Sequence, residues 1–469
     1  MSSAAIERHR TAMVRHTLSK PMSLLVQHSI VKPGVEVFDY GCGQGDDLRA
    51  LAAAGVQASG WDPHFAPDAE RSMADVVNLG FVLNVIEEEA ERREALRRAW
   101  ALTRKVLSVA TMVAGQVPTD GLRSYRDGFL TSRGTFQKYF QHIELRALIA
   151  DTLGADPLSV APGTFLVFRE PEQQEEFLLR RRMGRRISTS AYRSQREGRR
   201  SPTGGQALCE RLAPLLGAIA QMALMRGRMP HAEEIPSEIG EVLAQEHVSA
   251  QRAFALCLES ALDSSELDAA AAAMREDLMV HYALGRLNRS RTADRPSPAM
   301  IRDIRAHFGS QRELLAASTD YLMGLADQGR VAQSIRVAAE AGIGAIDHRE
   351  RLVLDARRRE ELPGVLRVYL GCAAYLAGEP DDESLVRIDP GAKRVGYFPI
   401  EARSAHFPET TSSLFIDLRR QSVAASPVRR VLIGKSRVLG VGGAPQRARE
   451  DSCRVEQKLG PLVILSKVL

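Results

Sequence analysis

Val35-Glu36-Val37-Phe38-Asp39-Tyr40-Gly41-Cys42-Gly43-Gln44-Gly45-Asp46-Asp47 is an apolar, β-favouring run that passes through three alternate glycines into the acidic first turn of a helix. Val35, Val37 and Phe38 are the residues of a strand buried in a parallel sheet, and Leu48, Leu51 and Ala52 give the helix that follows its apolar side. Gly41, Gly43 and Gly45 let the backbone take positive φ and let a ligand reach the main chain without meeting a Cβ. A turn of this kind leaves backbone N–H groups at the mouth of a helix, where a carboxylate, a phosphate or an amino-acid head group can dock.

Two cofactor classes use such a turn. A dinucleotide fingerprint is spaced Gly-x-Gly-x-x-Gly, whereas the spacing here is Gly-x-Gly-x-Gly with an acid, Asp39, in front. A carboxylate at that point suits the ammonium of a methionine moiety and repels a pyrophosphate. Further on, Ala58-Ser59-Gly60-Trp61-Asp62 is a second short strand ending in an acid, where a doubly wound fold sets a carboxylate against ribose hydroxyls. These features point to S-adenosylmethionine (SAM), with Asp39, Tyr40, Gly41, Cys42, Gly43, Gly45, Asp46, Asp62, Pro63 and Asn78 as the candidate cofactor residues. Cys42 reads as small filler inside the loop and not as a nucleophile.

Outward from this loop the chain divides. With 469 residues it is too long for one core. Residues 1–30 read as helical, with Leu18, Met22, Leu24, Leu25 and Ile30 forming a side that packs over the cofactor site. Between Asp62 and the next strand, Asp75-Val76-Val77-Asn78-Leu79, there is no room for the helix and strand of a full seven-stranded methyltransferase sheet, so one edge strand is expected to be missing. A helix with Glu87, Glu88 and Glu89 in its first turn and Arg104 and Lys105 at its end follows, then a strand over 106–113 and a loop over 114–134. Phe136, Tyr139, Phe140, Ile143 and Ala147 recur at helical spacing, and Leu158-Ser159-Val160 and Thr164 to Phe168 flank Ala161-Pro162-Gly163 as a hairpin. A terminal antiparallel hairpin is what a methyltransferase sheet requires. The expected organisation is an α/β, Rossmann-like class I methyltransferase domain over 1–172, a basic linker over 173–203, a mainly α-helical accessory domain over 204–380, and a small α+β region over 381–469.

Composition narrows the setting. Hydrophobic content of 44% and 26% charged residues describe an ordinary globular protein, and no uninterrupted apolar run of membrane-spanning length or secretory leader is seen, so a cytoplasmic location without membrane partners is expected. The five cysteines are scattered singly, which argues against a disulfide framework or a zinc site, and no metal is expected. Between Arg180 and Arg200 lie nine arginines against one acid, Glu197, with Tyr192 among them. Arginine favours bidentate phosphate contact, so Arg181, Arg182, Arg185 and Arg186 are candidate nucleic-acid contacts; a solvated charged linker is the bland alternative.

Several segments together resemble the DNA phosphorothioation-associated methyltransferase family: Ile6 to Ala12, Phe38 to Gly43, Gly60-Trp61-Asp62-Pro63, Asp75 to Gly80, Arg133 to Tyr139, Phe308-Gly309-Ser310 and Leu366 to Cys372, covering about residues 6–420. Such proteins are encoded beside bacterial systems that replace a phosphate oxygen of DNA with sulfur. The resemblance implies a SAM-dependent fold, a DNA-modification setting and proteins of the phosphorothioation system as partners. It does not define a methyl acceptor. Amino-methyltransferases acting on adenine N6 or cytosine N4 carry Asn/Asp-Pro-Pro-Tyr/Phe after the fourth strand, and this chain has Asn78-Leu79-Gly80-Phe81, lacking both prolines. Asn78 is thereby the candidate catalytic orienter and Phe81 a candidate base contact, the alternative being a strand-end cap and a core ring. Arg133, Gln137, Lys138 and Tyr139 form a polar and aromatic group that could reach a phosphate or base edge, or else one solvated face of a helix start. The rival to methyl transfer is a non-catalytic DNA-binding or regulatory protein; methylation of a small molecule or protein is a third reading.

Overall fold

A computed structural model describes residues 7–12, 14–115, 119, 121–189, 205–288, 296–403, 405, 408–427, 429–433, 438–439 and 464–467. The chain forms two compact units: Met1–Arg181 with Gln328–Leu469, and Arg182–Asp327.

The first half of the discontinuous unit contains helix α1 (Lys20–Gln27), strand β1 (Val37–Tyr40), α2 (Asp46–Ala53), β2 (Ala58–Trp61), β3 (Ala74–Gly80), α3 (Glu89–Ala101), β4 (Thr103–Ala110), the short strands β5 (Arg123–Tyr125), β6 (Gly128–Leu130) and β7 (Phe136–Gln137), α4 (His142–Leu153), β8 (Leu158–Ala161), β9 (Thr164–Phe168) and the start of α5 (Pro171–Thr189), which runs past the unit's boundary at Arg181. The main sheet has the order β2-β1-β3-β4-β9-β8. Its first four strands are parallel, β9 runs antiparallel to β4, and β8 runs antiparallel to β9. This is the Rossmann-like order expected, and among the described residues no strand lies outside β2, as the short interval after Asp62 implied; residues 63–73 hold only a bridge between Asp62 and Ala66. Successive strand residues face opposite layers, and both layers are apolar. Phe38, Val77, Leu79, Leu107 and Val109 meet Leu96 and Leu145 on one side, while Val37, Val76 and Val106 meet Met22, Leu25, Leu51 and Phe177 on the other.

Several local expectations change. Among the described residues ahead of β1, only Arg8–Thr11, as a 3-10 turn, and α1 are helical. The helix expected from Glu87 begins at Glu89 and ends before β4, so Arg104 and Lys105 are strand residues; Arg104 pairs with Glu36 at 2.6 Å instead of complementing a helix end. The region read as a loop holds the hairpin β5–β6, extended by β7. Phe136 is therefore a buried strand residue. Helix α4 starts only at His142, where the Gln141 backbone N–H donates to Glu144. The hairpin β8–β9 forms as expected, with Gly163 at φ +69°. Helix α5 makes the first part of the expected linker helical.

The second unit is helical: α6 (Gly205–Arg226), α7 (Ser237–Gln245), α8 (Ala250–Ser260), α9 (Ser264–Asn288), α10 (Pro298–Phe308) and α11 (Gln311–Gly324). Leu208–Arg226 is long and apolar enough to cross a membrane by composition, yet Leu212, Leu216, Ile219 and Ala223 pack with Leu256 and Cys257 in this unit's core. The helical pattern over 299–325 is broken at Gly309, φ +75°, and Ser310 then caps α11 by accepting the Glu313 N–H at 3.3 Å.

The remaining residues return to the first unit as α12 (Gln328–Glu340), β10 (Ala345–Ile346), β11 (Leu352–Asp355), α13 (Gly364–Ala377), β12 (Ser384–Asp389), β13 (Arg394–Pro399), β14 (Glu409–Thr410), β15 (Ser413–Asp417), β16 (Ser422–Ser426), β17 (Arg430–Ile433) and β18 (Ile464–Lys467). They form an antiparallel sheet of order β10-β11-β12-β13-β15-β16 and a three-stranded sheet β14-β17-β18. Helices α12 and α13, grouped by sequence with 204–380, thus stand in the first unit. Residues just after α13 seal against the Rossmann-like half: a Cβ on Gly378 would lie 2.6 Å from Pro162 Cα, Lys20 pairs with Asp381 at 2.7 Å, and Gln27 donates to Asp382 at 2.8 Å.

Candidate cofactor site

Strand β1 delivers Asp39 and Tyr40 to the carboxyl edge of the sheet, and the glycine turn reverses the chain into α2. Gly41, Gly43 and Gly45 have φ of +86°, +53° and +77°. They do different work. A Cβ on Gly41 would stand 2.4 Å from Val82 Cγ2, so this glycine lets Val82 close over the turn; Gly43 and Gly45 have ordinary clearance. The Gly41 and Cys42 N–H groups donate to the Trp61 carbonyl at 2.8 and 3.2 Å, tying the turn to the end of β2. Gly60 is bare because a Cβ there would meet the Asp39 carbonyl and Cys42 Cβ, both at 2.9 Å.

Asp39 and Asn78 are register partners on β1 and β3. The Asn78 Nδ2 donates to Asp39 Oδ1 at 2.9 Å, and the two side chains are 5% and 2% exposed. Burial, with smaller contributions from Asp47 and Asp62, pushes the Asp39 carboxyl up to about 7, against the lowering pull of the Asn78 bond and Arg15. Asn78 Oδ1 is buried without a partner. The site therefore holds a carboxyl group that ionises with difficulty and a neighbouring acceptor that lacks a donor, a pair that a cationic donor would satisfy. Burial beside Asp39 and Asp62 pushes the Cys42 thiol up to about 12, which keeps it a neutral thiol.

Asp62 binds inward: its Oδ2 accepts from the Gly43 N–H at 3.1 Å, and its Oδ1 accepts from the N–H groups of His64 and Phe65. Tyr40 and Trp61 lie 5.2 Å apart, and Arg71 stacks on Trp61 at 4.1 Å. The segment before α1 crosses the opening. Arg8 donates to Glu87 and Glu91, His9 stacks on His64 at 4.1 Å, and the Arg15 and Ser19 N–H groups donate to Asp46 and Asp47 at 2.7 Å each. The cleft these residues line has a volume of about 680 Å³.

Of the sequence candidates, Asp39, Tyr40, Gly41, Cys42, Gly43, Asp46, Asp62, Pro63, Asn78 and Phe81 all line this one cavity. Gly45 stands just behind it as the N-cap of α2. The acceptor-orienting role expected of Asn78 calls on its side-chain oxygen, and Oδ1 is the atom left without a partner while Nδ2 is held by Asp39. Strand β3 runs through Gly80 and the chain turns at Phe81, in the left-handed region at φ +60°, which replaces the extended turn that two prolines would impose.

Arg133, Gln137, Lys138 and Tyr139 are not among the cavity's lining residues. Lys138 is a correction: it is buried and paired with Asp127 at 2.8 Å and Glu144 at 2.6 Å, so its charge is already compensated inside the fold. Gln137 accepts from Asn84, Tyr139 packs near Phe129, and Arg133 sits exposed in the Thr131–Thr135 turn. Arg181 is a second correction, its guanidinium being buried against Glu379 at 3.2 Å. Arg182, Arg185 and Arg186 belong to helix α5, but their side chains, like residues 190–204, lie outside what is described. Sequence reasoning missed Arg8, His9, Arg15 and Ser19. The unusual density of arginine and histidine ahead of an N-capped helix was the available signal. Among the described residues no group of three or more His, Cys, Asp or Glu converges to hold a metal.

No family model and no curated protein matches the chain. The resemblance to the phosphorothioation-associated family thus stands on the quoted motifs alone. Among solved structures, the chain is similar to a 1,6-didemethyltoxoflavin-N1-methyltransferase from Burkholderia thailandensis with bound S-adenosylhomocysteine, at 14% identity over 34% of this chain and 78% of that one, TM-score 0.24. It is also similar to the sugar N-methyltransferase KedS8 from Streptoalloteichus, at 14% identity over 36% and 99% of the two chains, TM-score 0.25. A third is magnesium protoporphyrin IX methyltransferase from Synechocystis with bound SAM, at 17% identity over 32% and 76%, TM-score 0.22.

Proposed function

We propose that this chain is a SAM-dependent methyltransferase whose acceptor is DNA or another nucleic acid. The observation that carries the cofactor reading is the buried Asp39–Asn78 pair at the end of β1, with an orphan acceptor, facing a cavity of about 680 Å³ behind a glycine turn. The residues fit the group. Asp39 and Asn78 would face the ammonium, and the rim at Trp61, Asp62 and Pro63 stands where the sequence expects the nucleoside to lie. When bound, the sulfonium supplies an activated methyl group. The chain's own part is to hold it in line with an acceptor and keep water away, and no protein nucleophile is required.

The acceptor class is supported by the arginines between Arg180 and Arg200 and by the resemblance to phosphorothioation-associated proteins. The test is transfer of tritiated methyl from SAM to host DNA, RNA, protein and small-molecule fractions. Label in a nucleic-acid fraction, lost when Arg182, Arg185, Arg186 and Arg193 are changed together to Ser while SAM binding persists, is the expected result. Label confined to protein or small molecules overturns the acceptor class, and absence of SAM binding overturns the whole reading. SAM binding and unaltered nucleic-acid affinity without transfer to any fraction would favour the regulatory alternative.

A further inference from the structure

A second buried polar atom faces the same cavity. Ser19 is 5% exposed, its backbone N–H is held by Asp47, and its Oγ has no partner. It is the N-cap residue of α1, yet its side chain makes no capping bond, so the hydroxyl is left for something other than the helix. The first turn of α1 lies beside the Asp39–Asn78 pair: a Cβ on Gly80 would be 3.2 Å from Pro21 and 2.9 Å from Asn78 Nδ2. The positive end of the α1 dipole and an orphan hydroxyl thus adjoin an acid and an orphan acceptor, and Arg15 lines the same wall. Leaving both polar atoms unmet is costly unless a ligand meets them. A neutral nucleoside offers nothing with two opposite charges. An amino-acid tail offers an ammonium and a carboxylate on one carbon.

We propose that Ser19 and the first turn of α1 bind the carboxylate of the cofactor's amino-acid tail while Asp39 and Asn78 Oδ1 bind its ammonium, so that the segment before α1 forms one wall of the site and selects zwitterionic nucleosides. This rests on the SAM reading above. It adds residues no glycine-loop motif contains, and it gives the N-terminal crossing a binding purpose.

The test is calorimetric binding of three probes to the full chain: S-adenosylhomocysteine, decarboxylated SAM, which lacks the carboxylate, and 5′-methylthioadenosine, which lacks the whole tail. Ser19→Ala is expected to weaken S-adenosylhomocysteine about tenfold and the other two by less than about twofold. Ser19→Thr, which keeps the hydroxyl, should restore most of the loss, and Asn78→Ala should weaken the two probes that carry an ammonium but not the third. Thermal melting of each variant reports folding. Equal weakening of all three probes by Ser19→Ala, or unchanged S-adenosylhomocysteine binding, overturns the carboxylate assignment while leaving the cofactor reading standing. If the wild-type chain binds none of the three, both fall.

Discussion

Replacing Asp39 by Asn removes a charge from a place where the fold resists it, and keeps a side-chain oxygen for the Asn78 amide. In the unfolded chain this carboxyl ionises near its ordinary 3.8, whereas in the folded protein it holds its proton to about 7. The folded state therefore binds more protons between these values, and stability falls as pH rises through that window. Each tenfold difference in proton affinity is worth about 1.4 kcal/mol, so the whole window costs on the order of 4 kcal/mol, and the part between pH 5 and 7 roughly 3 kcal/mol. Asn escapes this cost. Urea unfolding of wild type and Asp39→Asn, followed by circular dichroism at pH 5, 6, 7 and 8, should show a stability gap in favour of the variant that widens by roughly 3 kcal/mol up to pH 7 and then levels. The helical unit lacks this residue and serves as an internal reference. The same variant should bind S-adenosylhomocysteine far more weakly, and the wild type should take up that ligand more tightly as pH rises through 7. A gap that stays constant with pH would show that Asp39 is solvated, and the account of the site would be wrong at its centre.

Two further perturbations separate packing from binding. Gly41→Ala places a Cβ against Val82 at φ +86°, so a loss of roughly 2–4 kcal/mol in thermal or urea stability is expected together with weaker cofactor binding; wild-type stability would contradict the close approach. Lys138→Met should lower stability by on the order of 1–2 kcal/mol, since its partners Asp127 and Glu144 are partly in water, and should leave the salt dependence of nucleic-acid binding unchanged; a slope reduced by about one would restore Lys138 as a phosphate contact.

The parallel part of the sheet was legible because β1, β3 and β4 are largely buried on both faces and centre on apolar runs, and because Gly41, Gly43 and Gly45 punctuate the first turn. The missing edge strand was legible from distance alone: the stretch after Asp62 cannot hold a helix and a strand. The hairpin β5–β6 was not, since strands of three residues bear no period that a loop rich in Gly, Asp and Arg would not also show. Phe136 and Phe140 fall four apart, which mimics a helix although one lies in a strand and the other just before α4. Arg181 read as a free cation because its carboxylate partner, Glu379, is distant in sequence, and Lys138 because Asp127 and Glu144, though near in sequence, lie at no helical or strand spacing from it. Ser19 and Arg15 escaped for a related reason: their contribution depends on where the chain crosses the sheet, and no local pattern encodes that.

The discontinuous first unit has a bearing on how the protein comes into being. The Rossmann-like half emerges from the ribosome first, but the residues that seal Pro162, Lys20 and Gln27, namely Gly378, Asp381 and Asp382, are translated only after all of Arg182–Asp327. During that delay the helical insertion can complete its own local contacts, whereas the nascent sheet waits with one flank bare. A fragment stopped near Phe168 would carry every glycine of the cofactor turn and still leave that flank open to aggregation.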